Sequence, residues 1–325
     1  MISEVSGFII SPDRPIYLSE ARIEEPLLPD PEAVLATAAL PLGLSIQIRR
    51  RGWVEFDFSG WARTKSVPYE NDGQLIDFEQ EWKVTKLRLL IMNCFMSVFY
   101  TKLERIHRIN LPKFVVTAND QITRRSLDCP NHGGPKSLLV LNRSIWTGEW
   151  VSLKVFSEAV EDFKLLLNED EKIWWVVENT AVAHLNHQNN HYSASAGVSW
   201  IVLERIMSII WSEKIEKNEC LRDVIKDIIK TEQAKGNRPP KFRGLNASEY
   251  NSWMMIEVLS RYAFFDEKVR QGLHILRLAR NEWVHSMEEM SDLESARLLD
   301  MTIMLLNILL PIELTWSSNT SYYSG

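Results

Sequence analysis

Cysteine is scarce in this chain. Cys94, Cys129 and Cys220 are the three among 325 residues. They are too few and too far apart in sequence for a disulfide scaffold, so a reducing, cytoplasmic setting is expected. Long apolar runs are missing as well. The most apolar stretch, residues 87–100, is interrupted by Arg88 and Asn93. It is too short and too polar to span a bilayer, which leaves a buried helix as the expectation and no membrane as a partner. The N-terminus lacks the basic-then-apolar pattern of a secretory signal. Positive charge is not in excess: 37 Lys and Arg stand against 43 Asp and Glu, for a net charge of −6. A chain-wide basic field is thereby excluded, and any hold on nucleic acid must be local. Gly133-Gly134 lacks the Lys-Ser/Thr ending of a phosphate loop, and no internal repeat is evident.

Tryptophan, by contrast, is plentiful. Its 12 copies point to a dense core or a substantial subunit interface, because the indole carries a large apolar area with one donor. Residues 1–73 hold Pro12, Pro15, Pro26, Pro29, Pro31 and Pro41, which break any long helix. Residues 44–48 and 53–58 alternate with period two, placing Ile46 and Ile48, then Val54, Phe56 and Phe58, on one side of two strands. Arg49-Arg50-Arg51-Gly52 between them reads as a solvated hairpin tip in preference to a phosphate contact. A long buried helix is expected over 74–107, and short strands at 113–117 and 137–141. Cys129 and His132 between those strands have no second pair at metal-ligand spacing, so a plain turn is expected there.

Beyond residue 155 strand signals nearly vanish. Two domains follow from this: a mixed α/β domain over 1–155, and an all-α domain over 156–325, giving an α+β chain. Helices are expected over 157–167, from a capping box at Asn168-x-x-Glu171 toward 185, over 194–217, from 221 to the Gly236 and Pro239-Pro240 stop, and over 248–262. The polar stretch 184–190 is expected to break the pattern. Two long amphipathic helices close the chain, at 266–285 and 291–310. The second opens on a capping box, Ser291-x-x-Glu294, and stops at Pro311.

The last part of 266–285 reads Arg280-Asn281-Glu282-Trp283-Val284-His285. On an ideal helix Leu273, Leu276, Trp283 and Val284 fall within about 60° of Val269, and Arg280 falls at about 20°, inside that apolar stripe. His285 comes out about 140° from Arg280, near Asn281 and His274. A guanidinium held inward cannot lose its proton and must find partners. Folding alone does not ask for that arrangement. Glu204 is a candidate carboxylate for it, or else an exposed residue of a polar face. His184, His187 and His191 also share a helix face within about 60°. The Asn and Gln residues around them favour a helix end, no carboxylate or Cys completes a ligand set, and no metal is expected. The basic loop 235–243, with Lys235, Arg238, Lys241 and Arg243, reads as a weak RNA-binding element or an ordinary solvated connector.

Arg280, Asn281 and His285 between two long helices, in an all-α half of the chain, resemble the signature of the HEPN superfamily. Trp200-Ile-Val-Leu-Glu204 on an earlier helix makes the resemblance nearest to the ApeA-type branch. It covers about residues 155–315. Arg125 and His132 satisfy the loose spacing too, but in a turn-rich segment. The resemblance implies a HEPN-like helical bundle and metal-independent endoribonuclease activity without a cofactor. A ribose 2′-hydroxyl would attack the adjacent phosphate, leaving a 2′,3′-cyclic phosphate and a 5′-hydroxyl. Histidine suits the proton transfers, because its ordinary pKa lies near neutrality. Arginine suits the phosphorane, to which it donates two parallel hydrogen bonds. Asn281 would orient the imidazole or the phosphate. The family also implies a homodimer with a composite cleft, and a role as a toxin or anti-phage defence effector restrained by a sensing or neutralising partner. Folds of this kind serve as non-catalytic dimerisation or partner-binding scaffolds as well.

Overall fold

The structure is a computed structural model. It describes residues 7–10, 16–19, 33–49, 54–61, 63, 78–107, 123–125, 149–219, 221–236, 239, 241–242, 244–262, 264–286 and 289–316. Two compact units divide the chain, Met1–Glu178 and Asn179–Gly325. Strands end at Ser152 and only helices follow among the described residues, while the compactness division falls later, at Glu178. The chain is α+β, with eight α-helices and seven short strands among the described residues.

In the first unit β1 (Gly7–Ile10), β3 (Val34–Ala39), β4 (Ser45–Arg49), β5 (Val54–Asp57) and β6 (Thr123–Arg125) form one antiparallel sheet in the order β3-β4-β5-β1-β6. A separate parallel pair joins β2 (Ile16–Ser19) to β7 (Glu149–Ser152). The period-two reading of β4 and β5 holds. Ile46 faces Phe56 and Ile48 faces Val54 across the ladder, and all four are buried together with Phe58. Arg49, first of the basic triplet, spends its charge inside the sheet: Nε and Nη2 each donate to a Glu55 carboxylate oxygen at 2.9 Å. Arg50, Arg51 and Gly52 lie outside the described residues, as do the strands expected at 113–117 and 137–141 and the Cys129–His132 turn.

Helix α1 (Phe78–His107) is the expected long helix, and its middle is buried on all sides from Ile91 to Thr101. Phe95 is the hub. Its ring lies 5.5 Å from Phe56, 5.7 Å from Phe99, 6.2 Å from Phe156 and 5.3 Å from Phe163. The sheet and α2 (Leu153–Leu167) thus share one aromatic core with α1. Asn93, also buried, donates to Glu178 Oε1 at 2.7 Å, and burial pushes the Glu178 carboxyl and the Cys94 thiol above their ordinary values. Helix α3 (Glu171–Gln188) is not started by the expected Asn168 capping box. Asn168 ends α2 instead, and Asp170 caps α3 by accepting from the Lys172 amide at 2.8 Å. The polar stretch at 184–190 does end the helix, at Gln188, with Asn190 at φ +61° in the turn that follows, although His184 and His187 are themselves buried.

The second unit is built on α4 (Tyr192–Lys214). Among the described residues it is the one helix long and apolar enough to cross a membrane, and 56% of that window is buried inside the protein. Trp200, Leu203, Ile206, Met207, Ile210 and Trp211 are core residues. Ser195, Ala196 and Ser199 give α4 a small-residue face, on which α8 (Asp292–Leu309) lies with Thr302 Oγ1 3.4 Å from the Ser199 carbonyl oxygen. The Ser291/Glu294 capping box forms in both directions. After α8 the chain is pinned back: Asn307 donates to the Leu314 carbonyl at 2.8 Å and accepts from the Leu314 amide at 2.9 Å. Helices α5 (Leu221–Ala234), α6 (Ser252–Arg261) and α7 (Glu267–Ser286) complete the bundle, with α7 packed against both α6 and α8.

Two predictions follow from these cores. A Cβ on Gly60 would lie 2.0 Å from the Gly43 carbonyl oxygen, and Gly43 has φ +76°. Gly60→Ala should therefore destabilise the protein by about 2 kcal/mol, of the order known for overpacking, read by chemical denaturation. His184 is buried against Trp316, with ring centroids 5.8 Å apart. Desolvation, and then the charge of His187, lowers its pKa from 6.5 to about 3. The unfolded chain takes up this proton near pH 6.5 and the folded chain does not. Stability should thus be fully present above pH 6.5 and fall as pH drops toward 3, by about 2 kcal/mol between pH 6.5 and 5. His184→Gln should flatten that acid limb in denaturation curves taken at several pH values.

Candidate functional site

Asp266 opens α7 by accepting from the Val269 amide at 2.9 Å. Leu273 and Leu276 are its buried residues, as the apolar stripe requires. Trp283, about two turns beyond Leu276, is half-buried. It rests on α4, where a Cβ built on Gly197 would sit 3.4 Å from the indole Cη2. The lack of a side chain at Gly197 is what lets the end of α7 come down onto α4. On the other flank of α7, Gly272 faces Met301 of α8, whose methyl would lie 2.8 Å from an added Cβ.

The sequence stripe places Arg280 further inside than the structure does. Arg280 is half-buried, and Val284 beside it is 44% exposed. The physical reason is width: α7 buries a narrow seam around Leu273 and Leu276, and the two positions at its rim keep contact with solvent. The Arg280 guanidinium donates from Nη1 to Asn281 Oδ1 at 3.2 Å. Asn281 is thereby turned toward the arginine rather than free to orient the imidazole. His285 is exposed in the last turn, where the helix dipole favours a cation. Arg280, Asn281 and His285 thus sit together on one helix end, with a rise of about 7.5 Å from Arg280 to His285.

Glu204 is not the anchor of Arg280. Its carboxylate accepts from the hydroxyl of Ser252, in the first turn of α6, and among the described residues no carboxylate forms an ion pair with Arg280. Ser252 reaches Glu204 first because α6 packs on α4, a tertiary fact that helix spacing does not carry. The carboxylates that do serve α7 act on its first half. Glu257 Oε1 accepts from Arg270 Nη1 and pairs with His274 Nε2, both at 2.7 Å, and Glu267 accepts from Arg270 Nη2 at 2.6 Å. The hydrogen bond to His274 holds the Glu257 carboxyl below the usual range, with Arg270 adding to it. Hydrogen bonds from Arg270 and Gln271 lower Glu267 to about 2. Sequence reasoning missed this network, since Glu257 meets α7 only through packing.

The other candidates are not gathered here. Lys235, in the turn just after α5, pairs with Glu232 of that helix at 2.6 Å, Lys241 is exposed, and Arg238 and Arg243 lie outside the described residues. His191 is exposed at the head of α4 while His184 and His187 are buried on α3. Among the described residues no group of three or more His, Cys, Asp or Glu could hold a metal ion. His187 does stand between a hydroxyl and a carboxylate, with Nδ1 3.0 Å from Ser295 Oγ and Nε2 3.4 Å from Asp292 Oδ1. Ser295 is fully buried, so its hydroxyl is closed to a substrate. The chain of groups fastens the end of α3 to the first turn of α8.

Trp283→Ala should cost about 2 kcal/mol, less than a fully buried indole, and should loosen the end of α7. Faster hydrogen exchange at the amides of 280–286, with little change at 267–273, is the expected readout. Compared with family models, curated proteins and solved structures, the chain matches none of them.

Proposed function

We propose that this chain is a metal-independent endoribonuclease whose second unit is a HEPN-like bundle, with Arg280, Asn281 and His285 as its site. One observation carries the reading: among the described residues a half-buried arginine has an amide but no carboxylate as its partner, about one and a half turns before an exposed histidine on the same helix. An anion is the missing partner for such a guanidinium, and an imidazole about 140° round the same helix end, facing it across a cleft shared with a second copy, would make a phosphodiester the anion on which chemistry can be done. Arg280 grips the phosphorane, Asn281 holds the guanidinium in place through its carbonyl oxygen, and His285 moves the proton of the attacking 2′-hydroxyl or of the leaving 5′-oxygen. RNA is the substrate because the reaction uses its 2′-hydroxyl as the internal nucleophile, and no cofactor takes part.

A homodimer with a shared cleft fits the surface of α7. Ile275 and Leu278 are 62 and 57% exposed and share by helix angle the face of α7 that carries His285, and a second copy would cover apolar area of this kind. The first unit would then act as sensor or restraint, and the whole as a cytoplasmic toxin or defence effector. The same exposed residues also favour the second reading, a scaffold that dimerises or binds a partner without catalysis.

Wild type, Arg280→Ala and His285→Ala, incubated with labelled RNA in EDTA, separate the two readings. Cleavage by wild type ending in 2′,3′-cyclic phosphate is expected. Arg280→Ala should lose about 10²–10³ in kcat, as when a transition-state donor is removed, and His285→Ala about 10²–10⁴. Intact RNA with all three proteins would establish the scaffold instead.

A further inference from the structure

Two groups of cations on α7 differ in their partners. Arg270 and His274 are met by Glu257 and Glu267. Arg277, Arg280 and His285 have no carboxylate among the described residues. Arg277 stands one turn before Arg280 and Asn281, and on the helix it falls between them in angle, with a rise of about 4.5 Å to Arg280. It is half-buried. Its Nε is shut off from solvent and has no hydrogen-bond partner among the described residues. Glu204 on α4 is engaged by Ser252, and Glu257 on α6 by Arg270 and His274. A guanidinium that has given up part of its hydration without a partner is costly to the fold. An anion that arrives from outside offsets that cost.

We infer that Arg277 is a second phosphate grip, which takes the phosphate next to the one held by Arg280 on a single RNA strand. This inference rests on the ribonuclease reading for the identity of the strand. Arg277 is a positioning residue: it touches the flanking phosphate, not the reacting atoms. It lengthens the footprint from one phosphate to two, sets the direction in which the strand runs along α7, and acts on substrate affinity.

The test uses the full chain and a 2′-O-methylated single-stranded oligoribonucleotide, which has no nucleophile and stays intact. Affinity is measured by fluorescence anisotropy across a salt series for wild type, Arg277→Gln and Arg277→Lys, with melting temperatures recorded in parallel. Arg277→Gln should weaken binding about tenfold and reduce the log–log salt slope by about 0.7, the value for one phosphate contact on a single strand. Arg277→Lys should keep the slope. In cleavage of the unmodified strand, Arg277→Gln should raise KM about tenfold with kcat nearly unchanged. An unchanged affinity and slope in Arg277→Gln would overturn the inference while leaving wild-type cleavage intact. Slope loss in a protein that cuts no RNA would sink the ribonuclease reading and leave the grip standing. If Arg277→Gln instead splits a dimer in sedimentation with no change in slope, the anion is a carboxylate of a second copy, and the RNA assignment falls.

Discussion

The close seating of α8 on α4 is the constraint from which the second unit follows. Ser195, Ala196 and Ser199 keep that face of α4 low, and buried Thr302 turns its hydroxyl toward the backbone, giving to the Leu298 carbonyl at 2.7 Å. Bulkier side chains there would push the helices apart, and close packing tolerates little such change. With α4 and α8 fixed, α7 has one groove to occupy. Trp283 on Gly197 and Met301 against Gly272 set its height over each partner. The position of Arg280 and His285 is therefore a result of small residues on other helices, not of the motif alone.

Along α7 the two ends are electrostatically unlike. The first half holds a closed network in which Arg270 and His274 each meet a carboxylate, and Glu257 serves both. Such pairing lowers the cost of partial burial and rigidifies the helix where α6 crosses it. The second half carries half-buried Arg277 and Arg280 and exposed His285 with no carboxylate paired to them among the described residues. A helix anchored at one end and unneutralised at the other is well suited to present cations to a ligand without moving, since preorganised donors need no rearrangement when an anion comes.

Much of this was legible in the residues. The strand pair around 44–58, the 30-residue α1, the Ser291 cap and the two closing helices follow from period, capping chemistry and proline placement, all local signals. What the chain pattern did not carry is tertiary. Asn168 and Asp170 both suit a helix start, and only the fold shows that Asn168 is used up in ending α2. Helical angle counts placed Arg280 in the seam, but how wide a seam is buried depends on what packs against it. Glu204 was available to Arg280 by spacing and was taken by Ser252 from a helix 48 residues later. The division at Glu178 falls inside α3, where composition does not shift, so no compositional signal could have marked it.

The segment after α8 has a consequence for the interior it covers. Leu314 is laced to Asn307 and Trp316 lies on His184, so a short strap of chain acts as a lid over a dry imidazole. Peeling that strap away would let water reach the ring and restore its appetite for a proton. The resulting charge beside His187 would hinder reclosure, so a strap that comes loose beyond Pro311 would stay undocked under mildly acidic conditions and settle back near neutrality.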